Sequence, residues 1–438
     1  MGVGKCLISL AKVDILKQQH IIKSILIICP KSVMPVWKTE IKKHSDMACI
    51  SLIGSLENKV RLLASNVPIF LISYDSIPGR KKTLGVLFHF LLKKHFGMVI
   101  LDEITHVKSF NAIRTKAVII LCNKINRVLA LSGTPITNSP ESVITIYSCV
   151  DGGETFGRNY FAARNHFFIN HGYTFPDWRL RKDKEEEFKK KLYFNAIRVL
   201  KEDCLDLPPK VFTERYTELD GLQKDIYRKI AEELLKELRL PEGRVRIKNS
   251  LVKLPKLSQL TGGFLYTDKD VQLFPENPKL ELLQQTIEEI PSKDKIIILG
   301  KWTQDITNIS KLLDNNNILF TTIQGRTRDR AIPIKDFNDP VGARALLAQI
   351  AVGAYGLNLA AANYVIYYSL GFSLIEWLQS QDRIHRIGQT KSCIYIPLLV
   401  RNTIDEYIYN CLKEHVAISK SLLDERLGKQ LQENLCRM

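Results

Sequence analysis

The first half of the chain repeats one pattern: a short, continuous apolar segment is followed at once by small or polar residues. The pattern occurs at residues 24–29, 68–73, 98–101 and 128–131. Apolar runs of this length predict parallel strands that are buried on both faces of a sheet. Open α/β sheets bind ligands at the carboxyl ends of their strands. The polar residues after each segment are therefore expected to share one ligand-binding edge.

A second series of apolar segments predicts a second parallel sheet in the C-terminal half. It comprises residues 295–299, 318–320, 345–347, 364–368 and 394–399. Between the two series, residues 151–210 are rich in aromatic and charged side chains and show no strand pattern. Residues 221–238 have the spacing of an amphipathic helix. Its expected apolar face consists of Leu222, Ile226, Ile230 and Leu234.

Together these patterns predict an α/β protein with two parallel-sheet lobes and helical insertions between them. The length of 438 residues accommodates two or three domains. The expected boundaries are a first lobe at residues 1–150, helical protrusions and a linker at 151–276, a second lobe at 277–425, and a C-terminal tail at 426–438.

The amino-acid composition indicates the class of protein and the kind of binding partner. The sequence is 45% apolar and 25% charged and contains no apolar run that could span a bilayer. We expect no signal peptide, because a Gly-rich segment follows Met1 in place of a basic region and an apolar core. Its nine cysteines are scattered and form no Cys-x-x-Cys pair, which favours neither a zinc site nor a disulfide framework. We expect a soluble intracellular protein, in cytoplasm or nucleus, or inside a host cell if viral. The net charge of +17 indicates a polyanionic partner, with nucleic acid favoured.

The chain opens with the second half of a phosphate-binding glycine loop. In such loops glycines such as Gly2 and Gly4 let backbone N–H groups approach a phosphate, and a lysine such as Lys5 reaches the β- and γ-phosphates. Cys6 stands where a Ser or Thr would hold Mg²⁺, and the printed sequence lacks the strand and first glycine of a complete loop. Taken alone, a Gly-x-Gly-Lys fragment is more often a coincidence than a site.

Two carboxylates directly follow the third apolar segment. Asp102 suits a Mg²⁺ ligand, bound directly or through water, and Glu103 suits a group that polarises the water attacking a γ-phosphate. The alternative is a pair of solvent-facing carboxylates at a strand end. We favour the site because a glycine–lysine loop occurs in the same chain.

Near the C-terminus, residues 379–389 predict a short polar helix that runs into a glycine turn. Gln379, Arg383 and Arg386 have the spacing of one helical face. Arginines in this arrangement suit a bound polyphosphate, because guanidinium groups donate paired hydrogen bonds to phosphate oxygens. A solvated helix with chance arginines is the alternative.

A series of motifs gives the chain a specific resemblance. In order they are MGVGKC, IICPKSVMPVW, LISYDSI, VILDEITHVKS, ALSGTPITN, LKEDCLDLPPK, AYGLNLAAANYVI and QSQDRIHRIGQ. This series resembles that of the Swi/Snf family, the double-stranded-DNA translocases of helicase superfamily two, and covers nearly the whole chain. The segments LSGTP, LPPK and DRIHRIGQ are the most specific.

The resemblance implies two RecA-like lobes that bind ATP and Mg²⁺ in the cleft between them. Arg383 and Arg386 would act as arginine fingers. The implied nucleotide contacts are Gly2, Gly4, Lys5, Cys6, Gly356 and Gln379, with Asp102 and Cys6 at the metal. The implied contacts to double-stranded DNA are Lys31, Ser32, Trp37, Thr134, Gly325 and Arg326.

The chain departs from the family pattern at three places. Cys6 replaces the hydroxyl residue, Thr105 stands where the family usually has His, and residues 349–351 replace part of the loop that contains Gly356. His106 follows Thr105, but its side chain should point elsewhere. The start within the glycine loop also suggests an N-terminally incomplete reading frame or a split gene.

Two other functions stay open at this point. One is a catalytically weak or silent DNA-binding protein with the same fold, which Cys6 favours and the intact Asp102, Glu103, Arg383 and Arg386 oppose. The other is a strand-separating helicase that acts on single strands or RNA. In either case we expect the chain to act as a monomer or with protein partners that the sequence does not identify.

Overall fold

The computed structural model describes residues 4–78, 85–133, 140–171, 178–199, 201–238, 247–268, 270–325, 327, 329–353, 358–414, 433 and 437. The chain divides into two compact units, Met1–Cys204 and Leu205–Met438. Each unit contains a parallel sheet with helices, which confirms the predicted fold class.

The first unit is built on a five-stranded parallel sheet with the order β2-β3-β1-β4-β5. Two further short strands, β6 and β7, pair antiparallel, so the expectation that residues 151–210 contain no strand was wrong. The strands are β1 (Ile25–Cys29), β2 (Cys49–Ser51), β3 (Ile69–Ser73), β4 (Met98–Asp102), β5 (Val128–Leu131), β6 (Phe168–Asn170) and β7 (Trp178–Leu180).

Helices cover both faces of this sheet. Alternate residues of the central strands enter two separate apolar clusters, one with Leu26 and Ile28 and the other with Ile25 and Ile27, so each face has its own core. The helices are α1 (Lys5–Gln18), α2 (Met34–His44), α3 (Leu56–Leu63), α4 (Val86–Lys93), α5 (Ile113–Cys122), α6 (Ser142–Val150), α7 (Tyr160–Phe167), α8 (Glu185–Phe194) and α9 (Lys201–Cys204).

The second unit is built on a seven-stranded parallel sheet with the order β13-β14-β12-β15-β16-β8, and β9 also pairs with β16. β8 and β9 come from residues expected to form the linker. Strands β10 and β11 pair antiparallel outside this sheet. The strands are β8 (Lys210–Phe212), β9 (Arg215–Thr217), β10 (Phe264–Tyr266), β11 (Val271–Leu273), β12 (Lys295–Gly300), β13 (Phe320–Ile323), β14 (Ala345–Gln349), β15 (Ala362–Tyr367) and β16 (Cys393–Val400).

Helices also pack on both faces of the second sheet, because Ile297 and Leu299 enter one apolar cluster and Ile296 and Ile298 another. No helix among the described residues is both long and apolar enough to cross a bilayer. The helices are α10 (Gly221–Leu238), α11 (Ile247–Thr261), α12 (Pro278–Glu289), α13 (Thr303–Asn315), α14 (Ala331–Asn338), α15 (Ile350–Gly353), α16 (Leu374–Gln381) and α17 (Ile404–Lys413).

The predicted helix at residues 221–238 has the expected bounds, and Ile226, Ile230 and Leu234 of its predicted apolar face pack in the core. Tyr227, Ala231 and Leu234 are buried, whereas Leu222 at the start of the predicted stripe is 62% exposed. Successive steps of four residues rotate by about 40° around a helix with 3.6 residues per turn. Four residues spaced four positions apart therefore span about 120° of the helix surface, so they do not all lie on the buried face.

Candidate functional site

The carboxyl edge of the first sheet is where helix α1 begins. Gly4 precedes the helix with φ 79° and ψ 23°, a left-handed conformation that glycine adopts without the steric cost of a Cβ. The Gly4 carbonyl accepts from the Ile8 N–H, and the Ser9 hydroxyl donates to the Lys5 carbonyl at 2.7 Å. The glycine thus turns the chain sharply into a helix whose first residue is Lys5.

The acidic pair lies at the end of β4. Asp102 is the last residue of the strand, and Glu103 after it has φ 51° and ψ 58°. A non-glycine residue in the left-handed region is strained by about 1–3 kcal/mol, so packing around the pair must hold it there. The turn after Glu103 leads directly into a short 3₁₀ helix, Ile104–Val107.

The structure brings Lys5 to the acidic pair. The Lys5 ammonium Nζ lies 3.5 Å from Glu103 Oε1, although the two residues are 98 positions apart in sequence. Glu103 Oε2 is buried and has no hydrogen-bond partner among the described residues. Such an oxygen is available to a water or another donor that enters the site. Three of the predicted site residues, Lys5, Asp102 and Glu103, are therefore grouped at one sheet edge.

The Asp102 carboxylate is held by two donors. Its Oδ1 accepts from the Glu103 backbone N–H at 3.0 Å, and its Oδ2 accepts from Trp37 Nε1–H at 2.9 Å. The Asp102 backbone carbonyl also accepts from the Tyr74 hydroxyl at 3.0 Å. Burial raises the pKa of Asp102, and the Lys5 charge and the Trp37 hydrogen bond oppose that rise. Each carboxylate oxygen keeps a further lone pair for a metal ion or its bound water.

Trp37 occupies a different place from the one its predicted DNA contact requires. The side chain is 0% exposed and its indole lies against the acidic pair. Its apolar rings pack with α1 residues such as Leu10 and Val13, because α2 presents Trp37 to the same core. In this position Trp37 supports Asp102 and presents no surface to nucleic acid.

Cys6 does not fit the predicted role of a Mg²⁺ ligand. Burial is the main cause that raises the pKa of the Cys6 thiol to about 12, with the Asp102 charge adding to it. The thiol stays protonated at neutral pH and packs beside the apolar cluster of α1 and α2. Mg²⁺ prefers hard oxygen ligands. The Asp102 carboxylate is therefore the group that suits Mg²⁺, and the described residues contain no group of three or more His, Cys, Asp or Glu that could hold a metal ion.

Thr105 and His106 lie in the 3₁₀ helix that follows the acidic pair. Thr105 is buried. The His106 imidazole stacks on the Tyr74 ring, with centroids 5.4 Å apart. Burial, with Arg114 adding to it, lowers the pKa of His106, which favours the neutral imidazole. His106 thus packs behind the acidic pair through Tyr74.

The predicted DNA contacts of the first unit begin beside this site. Lys31 is exposed and Ser32 half-buried in a 3₁₀ turn, Lys31–Val33, that leads into α2. Thr134 and Gly2 lie outside the described residues, as do Arg326 and Gly356 in the second unit.

In the second unit, the helix predicted to carry the arginines ends earlier than expected. Helix α16 stops at Gln381, and Arg383 and Arg386 lie in the turns that follow, so the prediction of one shared helical face was wrong. Gln379 is 1% exposed, and its backbone carbonyl accepts from Arg383 Nε at 3.2 Å. Both arginines are half-buried. The predicted glycine turn is present, with Gly388 at φ 97°.

Contacts with the Leu-Pro-Pro-Lys motif fix this stretch. His385 Nε2 lies 2.9 Å from the Pro208 carbonyl oxygen, and the Lys210 ammonium lies 3.4 Å from an Asp382 carboxylate oxygen. The Gln389 amide donates to the Ala362 carbonyl at 2.7 Å. The LPPK and DRIHRIGQ segments are therefore in contact within one unit. Because they are far apart in sequence, local patterns could not predict this contact.

Gln349 is a residue whose position the sequence did not reveal. Its Oε1 accepts from the Gly325 N–H at 3.1 Å, and its Nε2 donates to the Thr303 hydroxyl at 3.4 Å. Gln349 ends β14 and so links three loops at the carboxyl edge of the second sheet. In the sequence, only its place just after an apolar segment could have indicated that Gln349 lies at this sheet edge.

Known proteins resemble this chain over nearly all of its length. A Mycoplasma genitalium protein named as an uncharacterized ATP-dependent helicase, MG018, is 28% identical over 97% of this chain, and the ATP-dependent helicase fft1 of Schizosaccharomyces pombe is 22% identical over 100% of it. The chain spans 40% of the first relative and 52% of the second. The solved structure of the Sulfolobus solfataricus SWI2/SNF2 ATPase core in complex with dsDNA matches with a TM-score of 0.42 and 23% identity, covering 99% of this chain and 88% of that one.

Family models match both units. The helicase conserved C-terminal domain matches residues 278–388, and the SNF2-related domain matches residues 1–261, more than half of the sequence. The chain therefore belongs to the SNF2-related family.

Proposed function

We propose that this chain hydrolyses ATP and uses the energy to move along duplex DNA. The observation that carries the proposal is the grouping of Lys5, Asp102 and Glu103 at the carboxyl edge of the first sheet. A phosphate-binding lysine, a metal-binding carboxylate and a water-polarising carboxylate are the groups that phosphoryl transfer to water requires. Relatives named as ATP-dependent helicases and chromatin-remodeling ATPases support the same assignment.

In this proposal the first unit binds the phosphates. The Lys5 ammonium contacts the β- and γ-phosphates, and it must leave Glu103 Oε1 to do so. That exchange frees the Glu103 carboxylate to accept a hydrogen bond from the attacking water. Gly4 and the first N–H groups of α1 then lie beside the phosphates.

The residues of the site fit Mg²⁺ at Asp102. The carboxylate is fixed by two donors and retains lone pairs for the ion or its water. When bound, Mg²⁺ neutralises phosphate charge as the γ-phosphoryl group departs. Cys6 contributes packing and no ligand. Replacement of Cys6 by Thr is expected to lower the Mg²⁺ concentration needed for nucleotide binding, because a hydroxyl suits Mg²⁺ better than a thiol.

The second unit supplies the arginines in this proposal. Arg383 and Arg386 are proposed to stabilise charge that develops on the γ-phosphate in the transition state. The contacts of His385 with Pro208 and of Lys210 with Asp382 hold both arginines in defined turns. Arginines on a fixed backbone lose less entropy when they engage an anion.

Duplex DNA is the proposed track. The net charge of +17 favours a polyanion, and one relative is named as a chromodomain-helicase-DNA-binding protein. Lys31, Ser32 and Gly325 are the described candidates for phosphate contacts. Contacts of this kind do not read sequence, so binding should fall with salt and be equal for unrelated duplexes.

A second candidate is a DNA-binding protein with little hydrolysis, which the protonated Cys6 thiol at the start of α1 favours. Steady-state phosphate release separates the two. We expect turnover that rises on addition of duplex DNA and rises less with single-stranded DNA or RNA. Absence of turnover, with ATP and DNA both bound, would favour the second candidate; a larger response to single strands would favour a strand-separating helicase.

A further inference from the structure

A buried indole connects the predicted DNA-contact segment to the acidic pair. Trp37 Nε1–H donates to Asp102 Oδ2 at 2.9 Å, and the two residues are 65 positions apart. Both side chains are buried, so the hydrogen bond is shielded from competing water. Hydrogen bonds to a charged acceptor are the stronger ones in proteins. The orientation of the Asp102 carboxylate therefore depends on where α2 places Trp37.

The backbone between Lys31 and Trp37 is continuous helical structure. The 3₁₀ turn Lys31–Val33 passes directly into α2, which starts at Met34. Trp37 follows Lys31 by six positions, an axial distance of about 10 Å at helical rises of 1.5–2 Å per residue. A short helical segment moves as a rigid body. A displacement of its exposed start therefore displaces the indole at the same time.

Helix α2 also packs against α1, which begins with Lys5. The buried side chains of Val33, Met34 and Trp37 belong to one apolar cluster with Leu10 and Val13 of α1. Close-packed clusters transmit small shifts because they lack space to absorb them. The segment that starts at Lys31 is thus coupled mechanically to both predicted nucleotide-binding residues, Lys5 and Asp102.

We propose that Trp37 is a positioning residue that transmits DNA binding at Lys31 and Ser32 to the Asp102 carboxylate, and so makes Mg²⁺-nucleotide binding and hydrolysis respond to DNA. This inference rests on the proposed function. Because coupling between binding sites is reciprocal, the Mg²⁺-nucleotide raises DNA affinity by the factor by which DNA raises nucleotide affinity. Loss of the indole N–H removes the direct connection to Asp102, while Lys5, Asp102, Glu103 and the DNA contacts remain.

The test compares wild type with two variants at this position. Trp37→Phe removes the N–H but also shrinks the side chain. Replacement of Trp37 by β-(3-benzothienyl)alanine keeps the bicyclic shape and removes only the N–H. Tyr147→Phe is the control, because it deletes a part-buried hydrogen bond of the same unit, from the Tyr147 hydroxyl to the Leu192 carbonyl, that does not involve the acidic pair.

Equilibrium binding of a fluorescent, non-hydrolysable ATP analogue gives the first readout, titrated with Mg²⁺ with and without duplex DNA. We expect DNA to lower the half-saturating Mg²⁺ concentration for wild type and Tyr147→Phe. We expect both Trp37 variants to require about tenfold more Mg²⁺ and to lose most of the DNA effect. A wild type without any DNA effect would overturn the proposed function and this inference together. A coupled wild type with equally coupled Trp37 variants would overturn this inference alone.

A second readout needs no nucleotide. The chain contains four tryptophans, so 5-fluorotryptophan labelling gives four ¹⁹F resonances, and Trp37→Phe assigns one of them. We expect duplex DNA alone to shift the Trp37 resonance. Trp377, buried in the second unit, serves as the reference whose resonance stays in place. A stationary Trp37 resonance at saturating DNA would overturn the transmission through α2.

Discussion

Glu103→Gln is the substitution that isolates the water-polarising carboxylate. Glutamine has the shape of glutamate and keeps one carbonyl oxygen, but it carries no charge and is a poor proton acceptor. The Oε2 atom of Glu103 is buried without a partner among the described residues, so the change alters a group that is available for chemistry. Removal of one such group in a shielded site lowers turnover by about 10²–10³-fold, or about 3–4 kcal/mol of barrier.

The same substitution should leave the fold and nucleotide binding intact. The Lys5–Glu103 contact is long, at 3.5 Å, so its loss should change unfolding free energy by no more than about 1 kcal/mol. Lys5 is released from a negative neighbour, and ATP affinity should stay equal or rise. The assay is steady-state phosphate release at saturating DNA, paired with equilibrium binding of a fluorescent ATP analogue.

The matched control is Glu57→Gln, at an exposed position on α3 in the same unit. It should behave as wild type in both assays. Turnover of Glu103→Gln within a few-fold of wild type would refute the assignment of Glu103. Loss of analogue binding instead of turnover would show that Glu103 acts on the bound state and not on the water.

Three further predictions concern the second unit. Arg386→Ala should lower kcat far more than ATP affinity, because an arginine finger acts on charge that develops in the transition state. Loss of ATP affinity at unchanged kcat would contradict this prediction. Arg158→Ala, at an exposed arginine, is the control. Lys279→Met should cost about 3–5 kcal/mol in chemical denaturation, because it leaves Asp405 buried without its ion-pair partner; a loss below 1 kcal/mol would contradict it. Burial raises the pKa of Asp305 from 3.8 to about 6, so the folded state keeps a proton that the unfolded state releases in this window. Stability should therefore fall by roughly 2 kcal/mol from pH 4 to pH 6 relative to Asp305→Asn, and equal pH profiles would contradict it.

Strands buried on both faces were predictable because they leave continuous apolar segments. Each of the nine predicted segments overlaps an observed strand, and β1 differs from its prediction by only one residue at its start. The segment predicted at 318–320 was misplaced, because β13 begins at Phe320 and continues to Ile323. The strands that the sequence missed are short and partly exposed. In β8 and β9, for example, Lys210 and Arg215 are half-buried at one side of the second sheet, so polar and apolar residues mix. Only their pairing with β16 shows that they belong to it.

Local motifs identified Asp102, Glu103 and Lys5 as candidate site residues, but they did not indicate which side chains hold these residues in place. The hydrogen bond from Trp37 to Asp102 joins residues far apart in sequence and leaves no periodic pattern. The end of α16 at Gln381 was missed for a related reason. Burial of Ile384 and the contact of His385 with Pro208 override a sequence that could continue the helix. Tertiary contacts of this kind decide what local propensity leaves open.

We propose that ATP hydrolysis at Lys5, Asp102 and Glu103 drives movement along duplex DNA. Displacement of a fluorescently labelled third strand from a DNA triplex tests it most directly, because only a protein that moves along the duplex removes that strand. We expect displacement that requires ATP and Mg²⁺, is independent of duplex sequence and is abolished by Glu103→Gln. Bound DNA and ATP hydrolysis without displacement, or equal displacement by Glu103→Gln, would contradict it.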